Sequence, residues 1–123
     1  MRVTGLDHIV LNVADVERSL SWYVNDLGLH GERVEEWRRG EVPFPSVRVN
    51  ETTIVDIVAA ERTGENMNHV CFVVSDGDID EIVASDRFDV LEGPVERWGA
   101  YGVATSVYLW DPDANLVELR HYG

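Results

Sequence analysis

The first half of this 123-residue chain is repeated, in pattern, in its second half. The segment LDHIVLNVAD at 6–15 lines up with MNHVCFVVSD at 67–76, which places His8 and His69 in register and closes both copies on an aspartate. Near the end of each half, IVDI at 54–57 is echoed by LVEL at 116–119. Half of a chain this short cannot bury a sheet face alone, so the two copies must fold together.

The length and the repeat together predict the domain organisation. A chain of 123 residues fits one domain of ordinary size. We therefore expect a single domain built from a first module at 1–61, a linker at 62–66 and a second module at 67–123.

The charge balance excludes several classes of partner. The sequence has 23 acidic residues and 10 basic ones, all of them arginine, for a net charge of −13. This charge repels phosphate backbones and anionic lipids, so we expect neither nucleic acid nor a membrane as partner. No apolar stretch reaches the ~20 residues that cross a bilayer, and the N-terminal residues run into a strand pattern without a secretory core. With a single cysteine, Cys71, the protein is expected to be cytoplasmic.

Hydrophobic periodicity predicts the same order of elements in both modules. In the first, residues 5–13 alternate as a strand, and a helix begins after Asp15 and ends at Gly28. Further strands are predicted at 29–37, 44–50 and 52–60. In the second module we predict a strand at 68–75, a helix at 78–86, and strands at 88–96, 102–110 and 115–122. The expected fold is α+β, with two tandem βαβββ modules forming a curved mixed-sheet trough and helices outside.

Strand phase brings the repeated histidines and carboxylates to one face. In the first strand His8 points away from the more apolar face that should meet the helix. Alternation at 54–57 and at 116–119 turns Asp56 and Glu118 to the same side as His8 and His69. Two imidazoles and two carboxylates form a mixed nitrogen and oxygen site that suits Zn, Ni, Co, Mn or Fe(II).

Structural roles are the alternative for each of these residues. A strand histidine is often a hydrogen-bonded core residue, and an inward acid is often paired with an arginine such as Arg48 or Arg120. The shared phase and the duplicated spacing favour metal binding over four separate structural roles.

Four segments resemble the vicinal oxygen chelate superfamily, which includes glyoxalase I, extradiol dioxygenases and bleomycin resistance proteins. They are LDH at 6–8, WYVNDLGL at 22–29, NHV at 68–70 and DPDANLVEL at 111–119. By position, the resemblance implies His8, His69 and Glu118 as metal ligands, with Asp56 where glyoxalase I has a glutamate. It also implies one divalent ion that chelates two adjacent substrate oxygens, a carboxylate that moves a proton, and a homodimer.

The resemblance leaves the reaction open. We predict a metal-dependent enzyme acting on a small oxygenated substrate, a glyoxalase I-like lyase or isomerase, in which Glu118 or Asp56 carries the proton. Tyr108 lies where extradiol dioxygenases have a catalytic tyrosine, although the histidine that those enzymes place shortly before Val107 is replaced by Gly99, Ala100 and Tyr101.

A non-enzymatic, bleomycin resistance-like protein that sequesters a cationic drug is the other alternative. The acidic charge favours it, whereas the complete His8, His69 and Glu118 set argues against it. For substrate contact we predict Arg48, which could bind a carboxylate, together with Trp37 and Trp98.

Overall fold

The computed structural model describes residue 2 and residues 4–65, 67–75 and 78–123. Asn66, which ends the predicted linker, and Asp76, which ends the repeated segment, lie outside these described residues. The chain divides into two compact units, Met1–Thr63 and Gly64–Gly123.

The first unit contains one four-stranded mixed sheet and two short helices. Its strand order is β1-β4-β3-β2, with β1 and β4 parallel and the other neighbours antiparallel. The elements are β1 (His8–Val13), α1 (Val16–Leu20), β2 (His30–Glu32), α2 (Val34–Arg38), β3 (Ser46–Arg48) and β4 (Ile54–Ala59).

The second unit repeats this topology. Its sheet has the order β5-β8-β7-β6, in which β5 and β8 are parallel and the other pairs antiparallel. The elements are β5 (Val70–Val73), α3 (Asp78–Ala84), β6 (Asp89–Gly99), β7 (Gly102–Trp110) and β8 (Leu116–His121). Two mixed four-stranded sheets with few helices confirm the predicted α+β fold class.

Strand register in the two units matches the sequence repeat. The parallel pair β1 and β4 sets Val10 opposite Asp56, and the parallel pair β5 and β8 sets Cys71 opposite Glu118. His8 and His69 each precede these partners by two residues, which keeps them on the same face as the carboxylates.

The opposite face of each sheet builds the core of its unit. Leu11 and Val13 are almost fully buried while Asn12 between them is exposed, as the alternation in β1 predicts. The same burial holds for the apolar neighbours of both carboxylates: Val55, Ile57, Val117 and Leu119. Because these positions are apolar at a spacing of two, each sheet can bury one face and keep the other polar.

The first helix begins where the sequence predicts and changes type before it ends. The side chain of Asp15 accepts a hydrogen bond from the backbone N–H of Arg18 at 3.1 Å, which caps the first turn. After α1 the chain continues as a π-helical turn over Ser21–Asp26. Gly28, at φ +88°, then ends it in the left-handed conformation that glycine adopts readily.

Two predicted elements are corrected by the structure. The strand expected at 29–37 is only the three-residue β2, followed by the helix α2. Arg33 between them has a left-handed backbone, with φ 56°, which breaks the extended chain, and an i, i+3 ion pair of 2.7 Å between Glu35 and Arg38 fits a helix. Trp37 therefore lies on a helix.

The strand expected at 88–96 extends to Gly99, because β6 pairs with β7 along a long hairpin interrupted by register shifts near Glu92. Trp98 thus lies in a strand, where a loop was expected.

Among the described residues, no helix is long and apolar enough to cross a membrane.

Candidate functional site

In the first unit the structure brings His8 and Asp56 together. The imidazole Nε2 of His8 lies 3.9 Å from Asp56 Oδ2. Its other nitrogen, Nδ1, lies 2.7 Å from Asp7 Oδ2, a hydrogen bond in which the ring N–H donates. This bond raises the pKa of His8, and the charges of Asp56 and Asp7 add to the effect while burial opposes it. With Nδ1 engaged, Nε2 is the nitrogen available towards Asp56.

Asp56 is held from the neighbouring strand β3. Its carboxylate is 6% exposed, and Oδ1 accepts a hydrogen bond of 2.6 Å from the hydroxyl of Ser46, which is itself fully buried. The guanidinium of Arg33 donates to the same hydroxyl oxygen at 2.5 Å and lies 3.7 Å from Oδ1. A buried carboxylate is thus supported on one oxygen, while the other faces His8.

In the second unit His69 and Glu118 form the matching pair. His69, directly before β5, places Nε2 3.1 Å from Glu118 Oε2, and its Nδ1 lies 2.7 Å from Asn68 Oδ1. Glu118, 4% exposed, accepts a 2.6 Å hydrogen bond on Oε1 from the hydroxyl of Ser106. The same oxygen accepts a longer hydrogen bond, 3.3 Å, from Arg120 Nη1.

Both pairs share one arrangement although their serines come from different places. Ser46 lies directly opposite Asp56 in the β-ladder, whereas Ser106 lies opposite Arg120, two residues beyond Glu118. The extra methylene of glutamate lets its carboxylate reach that diagonal position. In each unit, a serine holds one carboxylate oxygen and the second oxygen faces an imidazole nitrogen.

The donor set of each pair fits a divalent metal ion. Ligand bonds of about 2.0–2.2 Å bring two neighbouring donors of one ion to about 3 Å from each other. The His69 to Glu118 distance of 3.1 Å meets this requirement, and the 3.9 Å of His8 to Asp56 needs only a small closure. The hydrogen bonds on Nδ1 orient both rings as metal-binding histidines are usually oriented. Within the described part of the chain, however, no group of three or more histidine, cysteine, aspartate or glutamate side chains is placed so that it could hold a metal ion.

Tyr108 lies beside the pair of the second unit. It is opposite Glu118 in the ladder, and its ring packs edge-on to His69 with 5.6 Å between centroids. Burial raises the pKa of Tyr108, and the charge of Glu118 adds to the rise, so the phenol stays protonated near neutral pH. The Arg97 guanidinium lies over this ring, with its central carbon 5.9 Å from the ring centroid.

Arg120 connects Glu118 to the hairpin of β6 and β7. Although charged, it is 4% exposed. Its guanidinium donates to the backbone oxygens of Trp98 (3.1 Å), Arg97 (2.8 Å) and Gly102 (3.2 Å) besides Glu118. The side chain therefore fixes the hairpin backbone and the carboxylate together.

A cavity of about 380 Å³ opens beside the pair of the first unit. Its polar lining includes His8, Asp56, Asp7 and Arg33. Its apolar lining consists of Val42, Pro43, Phe44 and Ile54. The volume matches the lower end of small-molecule sites in proteins.

The residues predicted for substrate contact occupy different surroundings. Arg48 is engaged by a close ion pair with Glu32 and donates to the backbone oxygens of Asn50 and Glu51. Trp37 is half-buried on α2, and Trp98 is 82% exposed on β6. The lining of the cavity in the first unit includes none of these three.

Several residues of the two pairs were missed by the sequence reasoning. The repeat itself contained a signal for Asp7 and Asn68, since an acid and its amide precede the two histidines and both accept from Nδ1. Ser46 had a weaker signal, a small polar residue at a strand position facing the carboxylate. Arg33 had none, because its place depends on where β2 ends.

Sequence comparison assigns the chain to a known group of proteins. The family described as Glyoxalase/Bleomycin resistance protein/Dioxygenase superfamily matches residues 5–119. Virulence protein STM3117 of Salmonella typhimurium is 29% identical over 126 residues, which cover 99% of this chain and 87% of that protein. The glyoxalase domain-containing protein RDO1 of Mycosarcoma maydis is 30% identical, over 99% of this chain and 70% of its own length.

Solved structures agree with this assignment. The crystal structure of the Salmonella virulence protein superposes with a TM-score of 0.76 at 25% identity, covering all of both chains. A protein from the mobile metagenome of V. Pseudocholerae gives a TM-score of 0.78 at 28% identity, covering 100% of this chain and 98% of that one. With the match of the family over 5–119 and the repeated topology of both units, the chain belongs to the Glyoxalase/Bleomycin resistance protein/Dioxygenase superfamily.

Proposed function

We propose that the protein is a divalent-metal-dependent enzyme that acts on a small oxygenated molecule, as a glyoxalase I-like lyase or isomerase. The observation that carries this proposal is the duplication of a histidine and carboxylate pair at the same register of both sheets. Serine anchors and oriented imidazoles in both units support it, because a structural role would not require the same arrangement twice.

The metal ligands that we propose are His8, Asp56, His69 and Glu118. A divalent ion held by such nitrogen and oxygen donors would supply Lewis acidity for substrate oxygens and would stabilise the negative charge that develops on them. The protein's own task is to keep the four donors oriented, which the serine and Nδ1 hydrogen bonds do.

The two carboxylates differ in their hydrogen-bond donors. Glu118 Oε1 accepts from both Ser106 and the buried guanidinium of Arg120, which holds the carboxylate in place and suits a permanent ligand. Asp56 accepts from Ser46 and faces a cavity. We therefore propose Asp56 Oδ2 as the atom that takes and returns the substrate proton, with Glu118 as the alternative named by the sequence.

Elemental analysis of protein purified without chelator tests the proposal. We expect about one divalent ion per chain, since four-ligand sites are the norm for such donors. The double variant His8→Ala with Asp56→Ala and the double variant His69→Ala with Glu118→Ala should each lose it. His30→Ala with Glu32→Ala, a histidine and an acid of the same sheet, is the matched control and should keep it. Full metal content in both site variants would contradict the proposal.

The reaction class has its own assay. We expect the metal-loaded protein to exchange the hydrogen on the carbon next to the carbonyl group of α-hydroxyketones or of the hemithioacetals of α-ketoaldehydes. NMR spectroscopy in deuterium oxide measures this exchange. Asp56→Asn should slow this exchange while the protein stays folded. Metal-loaded protein without exchange on any of these compounds would remove the lyase or isomerase assignment.

Extradiol ring cleavage is the second candidate, favoured by the contact of Tyr108 with His69. Oxygen uptake by the Fe(II)-loaded protein with catechols, and its loss in Tyr108→Phe, would support this reaction. Absence of uptake leaves Tyr108 as a residue that packs against His69.

We also propose that the protein is a homodimer, which the resemblance to the superfamily implies. Light scattering coupled to size exclusion should then give a mass of twice the 13.9 kDa chain. A monomeric mass at all concentrations would contradict this.

A further inference from the structure

We infer that Arg33 binds an anionic group of the substrate, so that the molecules accepted by the cavity of the first unit are small carboxylates, or anions of similar shape, with an apolar part. This inference rests on the proposed function for the role of His8 and Asp56, and it adds the class of substrate. Its basis is the position of one guanidinium between a metal-type pair and an apolar wall.

The first observation is where the guanidinium lies. Arg33 lines the cavity together with His8 and Asp56, and its side chain is 43% exposed. Its Nη2 donates to Ser46 Oγ at 2.5 Å, which fixes one edge of the planar group. A guanidinium has five N–H donors in a fork that matches a carboxylate. Anchored through one of them, it can present others to a ligand in the cavity.

The second observation is that the neighbouring acids only partly compensate this charge. The nearest oxygen of Asp56 is 3.7 Å from Arg33 Nη2, beyond hydrogen-bond length, and that oxygen already accepts from Ser46. Glu32, the residue directly before Arg33, is held by Arg48 on β3. The acid beside Arg33 in sequence is therefore directed to a different arginine.

The third observation is the backbone at Arg33. Its φ of 56° lies in the left-handed region, which costs a residue with a Cβ on the order of 1 kcal/mol. Such conformations persist where the surrounding structure requires them, and they concentrate at binding sites. Here the turn ends β2 and directs the side chain of Arg33 into the cavity.

The charge of the whole chain explains why a local cation would be needed. At a net charge of −13, the protein repels anions from its surface. A carboxylate would be retained only where a fixed positive group outweighs this repulsion at short range. Arg33 provides that group, while Val42, Pro43, Phe44 and Ile54 provide an apolar wall for the rest of the molecule.

Arg48 is the arginine that the sequence indicated for carboxylate binding, and it serves here as the comparison. It belongs to the same sheet, yet it is committed to Glu32 and to two backbone oxygens. Substitution of Arg48 alone would release Glu32 beside Arg33, so the control replaces Arg48 and Glu32 together, which removes a guanidinium outside the cavity lining.

The test is an NMR titration of the full chain, stripped of metal with a chelator, with phenylacetate and with phenylacetamide. The two probes share a ring and differ in charge. We expect the wild type to bind phenylacetate about tenfold more tightly than phenylacetamide, as a charge-assisted contact requires. Arg33→Gln should abolish this preference, and the control Arg48→Gln with Glu32→Gln should keep it. Asp56→Asn should strengthen phenylacetate binding severalfold, because it removes the negative charge that lies 3.7 Å from Arg33.

Several results would overturn the inference: equal binding of both probes by the wild type, no binding of either, or a preference that survives Arg33→Gln. Since the titration uses metal-free protein, it is independent of the elemental analysis. A chain that binds no metal but shows the preference refutes the proposed function alone. If the wild type and Arg33→Gln both bind metal but the wild type shows no preference for phenylacetate, only the role of Arg33 is refuted.

Discussion

At the scale of single residues, the two buried serines decide how the carboxylates are presented. Ser106 and Ser46 are fully buried and each donates a 2.6 Å hydrogen bond to a carboxylate oxygen. A buried carboxylate that loses a donor is poorly solvated and rotates more freely. The serines therefore matter to metal affinity although neither is expected to touch the ion.

Ser46→Ala should weaken the metal affinity more than Ser106→Ala. Loss of such a supporting hydrogen bond typically costs about 10–100-fold in metal affinity. Glu118 keeps a hydrogen bond from Arg120 when Ser106 is removed, whereas the nearest other donor to Asp56, Arg33, is 3.7 Å away. Isothermal titration with one divalent ion measures both constants, and Ser19→Ala, another fully buried serine, is the control. The reverse order for the two variants would refute this explanation.

Gly99 is a second residue whose role depends on close packing. A Cβ added there would meet the guanidinium of Arg120 and would lie 2.6 Å from Tyr122 Oη. Because Arg120 is buried and hydrogen-bonded on several sides, it cannot move away cheaply. We expect Gly99→Ala to lower the free energy of unfolding by about 1–3 kcal/mol, as overpacking generally does.

Urea unfolding followed by tryptophan fluorescence measures this change. Gly5→Ala is the matched control, because a Cβ at Gly5 meets nothing within 4 Å. Equal stability of the two variants would show that the guanidinium of Arg120 adapts.

At the scale of elements, an ion pair between an arginine and a glutamate connects α1 and α2 of the first unit. Arg38 on α2 donates to both carboxylate oxygens of Glu17 on α1, from Nε and Nη2, each at 2.8 Å. This hydrogen bonding lowers the pKa of Glu17 below its ordinary value of 4.5; burial opposes the effect and the charge of Arg38 adds to it. The pair therefore stabilises the fold only while Glu17 is ionised.

The stability contributed by this pair should depend on pH in one direction. Since the folded-state pKa of Glu17 is lowered, its contribution is present above pH 4.5 and is lost as the pH falls through the lower folded value. Arg38→Gln should therefore be less stable than the wild type at pH 7, and the difference should shrink towards pH 3. Urea unfolding at several pH values measures it. Arg39→Gln, whose partner Glu41 is two residues away in sequence, is the control. A difference that does not change with pH would contradict this account.

The elements also show how far the sequence predicts this fold. β7 has the predicted bounds, and Asp15 and Gly28 mark the helix limits as expected, because period-two alternation and capping are local signals. The prediction of one strand at 29–37 was wrong, because the spacing of Val34 and Trp37 fits a strand or a helix equally well in so short a segment. The left-handed backbone conformation of Arg33 ends the strand and allows the helix, and no local sequence pattern indicates this conformation.

The candidate site also has features that the sequence predicts and features that it does not. The phase of His8, Asp56, His69 and Glu118 could be predicted, since a period of two fixes which side of a strand each occupies. The diagonal contact of Ser106 with Glu118 could not, because it depends on the ladder register and on the length of the glutamate side chain.

At the scale of the whole molecule, ligand binding should be visible as added heat stability. A ligand that binds only the folded chain stabilises it by about 2.7 kcal/mol at a concentration of 100 times its Kd. We expect divalent ions to raise the Tm of the wild type in calorimetry. The double variant His69→Ala with Glu118→Ala should show no rise. An equal rise in that variant would mean that the ion acts through the general acidity of the chain, with its net charge of −13.

The left-handed backbone at Arg33 sets stability against selectivity. Glycine tolerates a φ of 56° without strain, so Arg33→Gly should make the chain more heat-resistant as it removes the guanidinium from the cavity. Laboratory selection for thermal tolerance alone should thus enrich glycine at this position. Selection that also demands discrimination between charged and neutral compounds should retain arginine.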